Sequence, residues 1–166
     1  LSLRYNITKN PDGSYNFITD GNIEYVAFFT LCQINDKEGN EHTVYSFGFE
    51  KAGSYKSDKF KTKYDLKVKE TIIFIIKEFF KLNGDGTLIY FCFSDDEFAR
   101  HRSITFSKWY RESLFETIEH HKKSVKQNDV VFYCGALIAR ENPLRELLIG
   151  AINSYFSDLA SYKNDL

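Results

Sequence analysis

Thr87-Leu88-Ile89-Tyr90-Phe91-Cys92-Phe93 is a continuous apolar run, closed by Gly84 and Gly86 on one side and by Ser94-Asp95-Asp96-Glu97 on the other. A strand with one wet face alternates apolar and polar residues. An unbroken run this short reads as a strand covered on both faces. Such a strand needs ladder partners at its edges and helices above and below, and the flanking sequence supplies both.

Upstream, Asp65 is placed to cap a helix running to about Leu82. Val68, Ile72, Ile75, Ile76 and Phe79 share one helical stripe, and Gly84 and Gly86 end it. Downstream, Ser94 with Glu97 fits a capping box and opens a second helix. Phe98, Arg102, Thr105, Phe106, Trp109 and Ser113 form its expected inward face, with Tyr110 beside them. Leu114–Lys122 and Asp129–Ala139 read as a hairpin across a polar loop. Asn142-Pro143 starts a third helix, with Asn as cap and Pro in the first helical position. Leu144, Leu147, Leu148, Ala151, Ile152, Tyr155 and Leu159 supply its expected buried stripe.

Before the first helix stand four strands. Leu3–Thr8 and Ser14–Thr19 are joined by the turn Asn10-Pro11-Asp12-Gly13. Asp20-Gly21 predicts a tight hairpin into a third strand, Ile23 through Cys32. Asp36–Asn40 is a polar loop, and Thr43–Glu50 alternates as a fourth strand. The order β-β-β-β-α-β-α-β-β-α predicts an α+β fold: a mixed, mostly antiparallel sheet of about seven strands with three helices. No linker, repeat or low-complexity tract interrupts it, so residues 1–166 read as one domain.

Composition narrows the function classes. Sixteen Phe and eleven Tyr favour a large sheet. A net charge of −1 gives no global attraction to nucleic acid or an anionic membrane. The longest apolar run, Ile72–Ile76, ends at Lys77-Glu78 and is far too short to span a bilayer. Cys32, Cys92 and Cys134 are odd in number and lie in strand-like apolar stretches, so they read as buried reduced thiols in a reducing, cytoplasmic compartment. No secretory leader is read at the N-terminus. The chain contains no Met, so the initiator is missing.

Several constellations bear chemistry. Lys51, Lys56, Lys59, Lys61, Lys63, Lys67 and Lys69 stand against three acids between Lys51 and Glu70. With Tyr55, Phe60 and Tyr64 between them they suit a phosphate-bearing ligand or a solvated surface loop. Asp95-Asp96-Glu97 suits helix capping more readily than Mg²⁺. Arg100, Lys108 and Arg111 share a helical face. His120-His121, adjacent on a strand, point to opposite faces and do not ligate one metal. No metal site is expected.

The element order resembles the acetyl-coenzyme A-dependent N-acetyltransferase (GNAT) fold. There, antiparallel strands lead to a loop and helix gripping the pyrophosphate, followed by a strand, a helix and a terminal hairpin. Tyr110-Arg111-Glu112-Ser113-Leu114-Phe115 resembles that family's Tyr-x-x-x-Gly-Phe signature, with Leu114 in place of Gly. The resemblance implies Tyr110 as general acid, with coenzyme A at Lys56, Lys59, Lys61, Lys63 and Lys67. The family's glycine-rich pyrophosphate loop has no counterpart near Asp65-Leu66-Lys67-Val68, nor have the two helices after its first strand. Tyr15-Asn16-Phe17-Ile18-Thr19-Asp20, Thr71-Ile72-Ile73, Glu78-Phe79-Phe80, Phe106-Ser107-Lys108-Trp109-Tyr110 and Asn142-Pro143 are similar to an uncharacterised bacterial domain-of-unknown-function family. That likeness implies no established activity.

The expected role is therefore binding, of a partner protein or an anionic small ligand, by a non-catalytic or degenerate acyltransferase-like domain that requires no cofactor. The alternative is an acyl-coenzyme A-dependent N-acyltransferase using acetyl-CoA. A weaker alternative is nucleic-acid binding through the lysine stretch and Arg100, Lys108 and Arg111.

Overall fold

The computed structural model describes residues 3–52, 65–93 and 98–161. In chain order its elements are β1 (Thr8–Lys9), β2 (Tyr15–Ile18), β3 (Glu24–Asn35), β4 (Glu41–Lys51), α1 (Leu66–Leu82), β5 (Thr87–Cys92), α2 (Ala99–Ser113), β6 (Ile118–Gln127), β7 (Val130–Ala139) and α3 (Arg145–Ser161). The strands form one seven-stranded sheet ordered β1-β2-β3-β4-β5-β7-β6. β5 runs parallel to β4 and antiparallel to β7, so the sheet is mixed and the fold is α+β as expected. β5 lies inside the sheet, and Thr87 to Tyr90 are all buried. This explains its unbroken apolar sequence.

The chain packs as two compact units. The first comprises Leu1–Phe29 and Phe47–Leu82, the second Thr30–Ser46 and Asn83–Leu166. β3 and β4 run through both, and their buried parity changes along their length. Tyr25, Ala27 and Phe47 are buried in the first unit, Ile34 and Val44 in the second.

In unit one, α1 buries Val68, Thr71, Ile72, Ile73, Ile75, Ile76 and Phe79. Phe79 stacks on Phe29 with centroids 5.1 Å apart, and Phe17 bridges Tyr5 and Tyr25 at 6.0 and 5.2 Å. Asp65 caps α1 as the sequence predicts: Oδ1 accepts the Val68 N–H at 2.7 Å, and Oδ2 accepts the Tyr5 hydroxyl at 2.7 Å. Replacing Asp65 by Ala is expected to cost about 1 kcal/mol, the usual value of a cap. Chemical denaturation checks this; a loss under a few tenths of a kcal/mol would mean that the cap does not hold the helix.

In unit two, Ile34, Val44, Ile89, Val125, Phe132, Cys134, Ala136 and Ile138 meet Leu148, Ala151, Ile152 and Phe156 of α3 in one core. α2 buries Ala99, Ser103, Phe106, Ser107, Trp109 and Tyr110. β6 and β7 turn through Asn128 and Asp129, both left-handed at φ 50° and 65°, with Gln127 opposite Val130. Two left-handed central residues give the tight turn that matches strand twist.

Some expectations fail for local reasons. Of the expected strand Leu3–Thr8 only Thr8 is strand, continuing with Lys9, and the Tyr5 N–H goes to Thr71 Oγ1 at 2.9 Å instead of a ladder. The turn at Asp20-Gly21 is wider than a two-residue hairpin: Thr19 N–H donates to the Ile23 carbonyl, and Asn22, not Gly21, takes the left-handed conformation. The hairpin's first strand begins at Ile118, not Leu114, and continues past Lys122 to Gln127. The stripe of α2 is rotated. Phe98 is exposed, and the small residues Ala99, Ser103 and Ser107 let the helix sit close to its neighbours. Leu144 and Leu147 are also exposed, because Leu148, Ala151, Ile152 and Phe156 set the phase of α3. Cys92 and Cys134 are buried but Cys32 only half so. The capping box and acid cluster at residues 94–97 lie outside the described residues.

Candidate functional site

The best-connected group of titratable and aromatic side chains in unit two begins at Tyr90 on β5. Tyr90 faces Gly135 across the ladder, and with no side chain there its ring crosses β7. A Cβ on Gly135 would stand 2.5 Å from both Tyr90 Cζ and Oη. The hydroxyl thereby reaches His120 Nε2 on β6, at 2.5 Å. α2 closes the group. Phe106 lies 4.6 Å from Tyr90, and Tyr110 lies 4.7 Å from His120, between ring centroids. Lys122, two residues along the same face of β6, gives its ammonium to Ser107 Oγ at 3.2 Å.

Electrostatics follow from this packing. Burial, then the charges of Lys122, His121 and Arg111, push His120 down to about 4. Near neutrality it is an uncharged ring, and its Nε2 shares a hydrogen bond with the Tyr90 hydroxyl whose direction the tautomer sets. Burial drives the Tyr90 phenol well above its usual value. The Cys134 thiol is raised by burial to about 12, and Cys92 is raised for the same reason against the opposing effect of Arg102. Such thiols stay protonated and are weak nucleophiles.

Tyr110, the expected general acid, is buried at the end of α2. Its hydroxyl donates to the Ile118 carbonyl at 2.8 Å, and Arg140 Nη2 lies 3.4 Å from it. The turn Leu114–Thr117 brings Ile118 back under the helix, since Ile118 N–H returns to the Leu114 carbonyl. Of the expected coenzyme lysines, Lys56, Lys59, Lys61 and Lys63 lie outside the described residues. Lys67 belongs to unit one; its ammonium is 3.2 Å from Asp20 and 5.1 Å from the Tyr5 ring centroid. Arg100, Lys108 and Arg111 are exposed on α2, with Lys108 3.9 Å from Glu112.

His120 and His121 do take opposite faces. His121 lies 3.6 Å from Glu119, whose carboxylate is gripped by Arg145 at 2.5 and 2.7 Å. That grip holds the Glu119 carboxyl below its usual range. Among the described residues no group of His, Cys, Asp and Glu could hold a metal, and no helix is long and apolar enough to cross a membrane.

The parallel ladder between β4 and β5 registers only Tyr45 with Leu88 and Ser46 with Ile89. β5 runs on through Tyr90, Phe91 and Cys92, which pair with Gly135, Cys134 and Tyr133 of β7. Along these three residues the other edge of β5 has no ladder partner among the described residues. The sequence reading missed the Tyr90–His120 pair. The available signal was parity, with Tyr90 and His120 on one face and a glycine on the strand between them. No family model, curated protein or solved structure matches the chain.

Proposed function

We propose that the chain is a binding domain of acyltransferase-like build that takes an anionic small ligand of the acyl-coenzyme A class without turning it over. The observation that carries this reading is the edge of β5 from Tyr90 to Cys92, which has no ladder partner among the described residues beyond a parallel ladder of two residue pairs. An extended amide-bearing arm is the ligand type that pairs with such an edge. The non-catalytic part is supported by Tyr110, whose single proton is already given to a backbone carbonyl, and by thiols held protonated. Free cysteines support a reducing, cytoplasmic setting.

Acetyl-coenzyme A is the probe. At a hundredfold excess over Kd, a ligand that binds only the native state adds about 2–3 kcal/mol and raises the melting temperature by several degrees. The expected result is such a shift, retained in Tyr110→Phe, with no amine-dependent thiol release. Absence of any shift at about 1 mM, where a site of useful affinity would be filled, overturns the reading. The rival is a working acyl-coenzyme A-dependent N-acyltransferase with Tyr110 as general acid. It predicts thiol release that Tyr110→Phe abolishes while the thermal shift remains.

A further inference from the structure

β6 ends the sheet, with β7 beside it on one side only. The hairpin fixes which way its backbone groups point. Gln127 and Val130 face each other across a two-residue turn, which makes them a hydrogen-bonded pair. Alternation then turns the N–H and C=O of the odd-numbered residues toward β7, and those of His120, Lys122, Ser124 and Lys126 outward. Three contacts agree with this parity. The Arg140 N–H donates to the Thr117 carbonyl at 2.9 Å, and Cys134 Sγ lies 3.5 Å from the Lys123 carbonyl. The Ile118 N–H turns away from β7, to the Leu114 carbonyl at 3.0 Å. The outward groups have no ladder partner among the described residues. Lys122, Lys123 and Ser124 are exposed in succession although neighbours take opposite faces, so the edge between those faces is open to solvent.

This edge is basic on both sides. Lys122 gives its ammonium to Ser107 Oγ of α2 at 3.2 Å, and Lys123 to Ser157 Oγ of α3 at 3.1 Å. Both acceptors are neutral, so each lysine keeps its charge, and an ammonium has three donors. Arg111 of α2 adds to the field, since its charge acts on His120 together with those of Lys122 and His121. Lys126 lies 3.7 Å from Asp129, an exposed pair of little strength. The strand's one acid, Glu119, is held by Arg145 at 2.5 and 2.7 Å.

We infer that the outer edge of β6 takes an acidic, extended segment of a partner protein as an added antiparallel strand. Backbone pairing with the outward groups supplies the attachment, and the lysines supply the selectivity. Residues directly opposite on paired strands lie about 5 Å apart between Cβ atoms. The positions facing Lys126, Lys123 and Lys122 therefore read acid-x-x-acid-acid from N to C in the partner. Lysines on an edge turn away a like-charged strand and admit an acidic one. A second copy of the chain is the poorer occupant. In full-length antiparallel register its β6 sets Lys122 against Lys123 twice, and the Glu119 that would face Lys126 is already taken by Arg145.

The probe is the peptide acetyl-Thr-Glu-Val-Thr-Glu-Glu-Val-amide, titrated into the full chain and followed by amide shifts and amide exchange. Binding is expected to saturate with Kd of about 0.1 mM or below and to slow exchange at the outward N–H groups of Lys122, Ser124 and Lys126. Glutamine in place of every Glu of the peptide, or Lys122→Gln with Lys123→Gln in the protein, should weaken it about tenfold. N-methylation separates strand pairing from plain charge attraction. On the central Thr, whose N–H points at Ser124, it should abolish binding; on the Glu that follows, whose N–H points away, it should leave the affinity within about twofold. The proposal is overturned by no saturation up to about 1 mM, by equal affinity of the two N-methylated peptides, or by undiminished binding to the double variant. It is also overturned by a dimer in sedimentation whose outward N–H groups are protected without peptide, which gives the edge to a second copy. None of these outcomes bears on the coenzyme reading, which concerns the edge of β5.

Discussion

Replacing Gly135 by Ala is expected to lower the thermal midpoint by about 5–10 °C, the equivalent of about 2–3 kcal/mol of overpacking in a chain of this size. The new Cβ would stand 2.5 Å from Tyr90 Cζ and Oη, a separation that real structures do not tolerate. Tyr90 has little freedom to yield. It is 6% exposed, its ring meets Phe106 at 4.6 Å, and its hydroxyl is tied to His120 at 2.5 Å. A movement that relieves the clash therefore breaks either the ring contact or the hydrogen bond. Tyr90→Leu, with its shorter side chain, provides the control. In that background Gly135→Ala should cost less than about 1 kcal/mol, because the obstacle is gone. Equal costs in both backgrounds, measured by denaturant unfolding, would show that Tyr90 is not what the methyl meets.

The same pair shows what the sequence discloses and what it hides. Element order was legible because it depends on runs and punctuation. The apolar block from Thr87 is an interior strand as far as Cys92, with Phe93 outside it and exposed; Asp65 caps α1, and Asn142 Oδ1 accepts the Leu144 N–H at the head of α3. Helix phase was harder to read. α2 turns Ala99, Ser103 and Ser107 inward, and small side chains carry almost no hydrophobic signal although they allow close approach. From sequence β6 reads as ending at Lys122, for the opposite reason. It lies at the end of the sheet, and Lys122, Lys123 and Lys126 make it look like a loop, whereas charge on an edge strand blocks unwanted pairing.

The candidate site was hidden more deeply. Tyr90, His120 and Gly135 are far apart in the chain, and their meeting depends on β7 lying between β5 and β6. A hairpin drawn from sequence leaves open which of its strands pairs with β5. Once β7 takes that place, Gly135 is the gap through which a tyrosine on one neighbour reaches a histidine on the other. Tyr110 was legible as a residue at the end of a helix, but not as a donor to the Ile118 carbonyl, because that bond depends on the tight return at Leu114–Ile118.

Acidification gives the second large effect. His120 titrates near 4 in the folded protein against an ordinary value of 6.5, chiefly because it is buried. Between those values the unfolded chain takes up a proton that the folded chain does not, so stability falls as pH drops from 6.5 to about 4 and levels off below. Each pH unit in that window is worth at most 1.36 kcal/mol, so the whole descent amounts to about 3 kcal/mol. A protonated imidazole only donates at Nε2, so below this window the Tyr90 hydroxyl oxygen must be the acceptor. Asp36 acts lower on the scale. Its hydrogen bond to His42 holds it at about 2, so its contribution disappears as pH falls from 3.8 toward that value. His120→Gln retains an acceptor for Tyr90 and removes the titration. The variant should therefore show a flatter stability profile than wild type between pH 6.5 and 4, with the two curves parallel below. Parallel curves throughout, from urea unfolding at half-unit steps of pH, would mean that His120 is not held neutral, and the account of the Tyr90–His120 bond would fail with it.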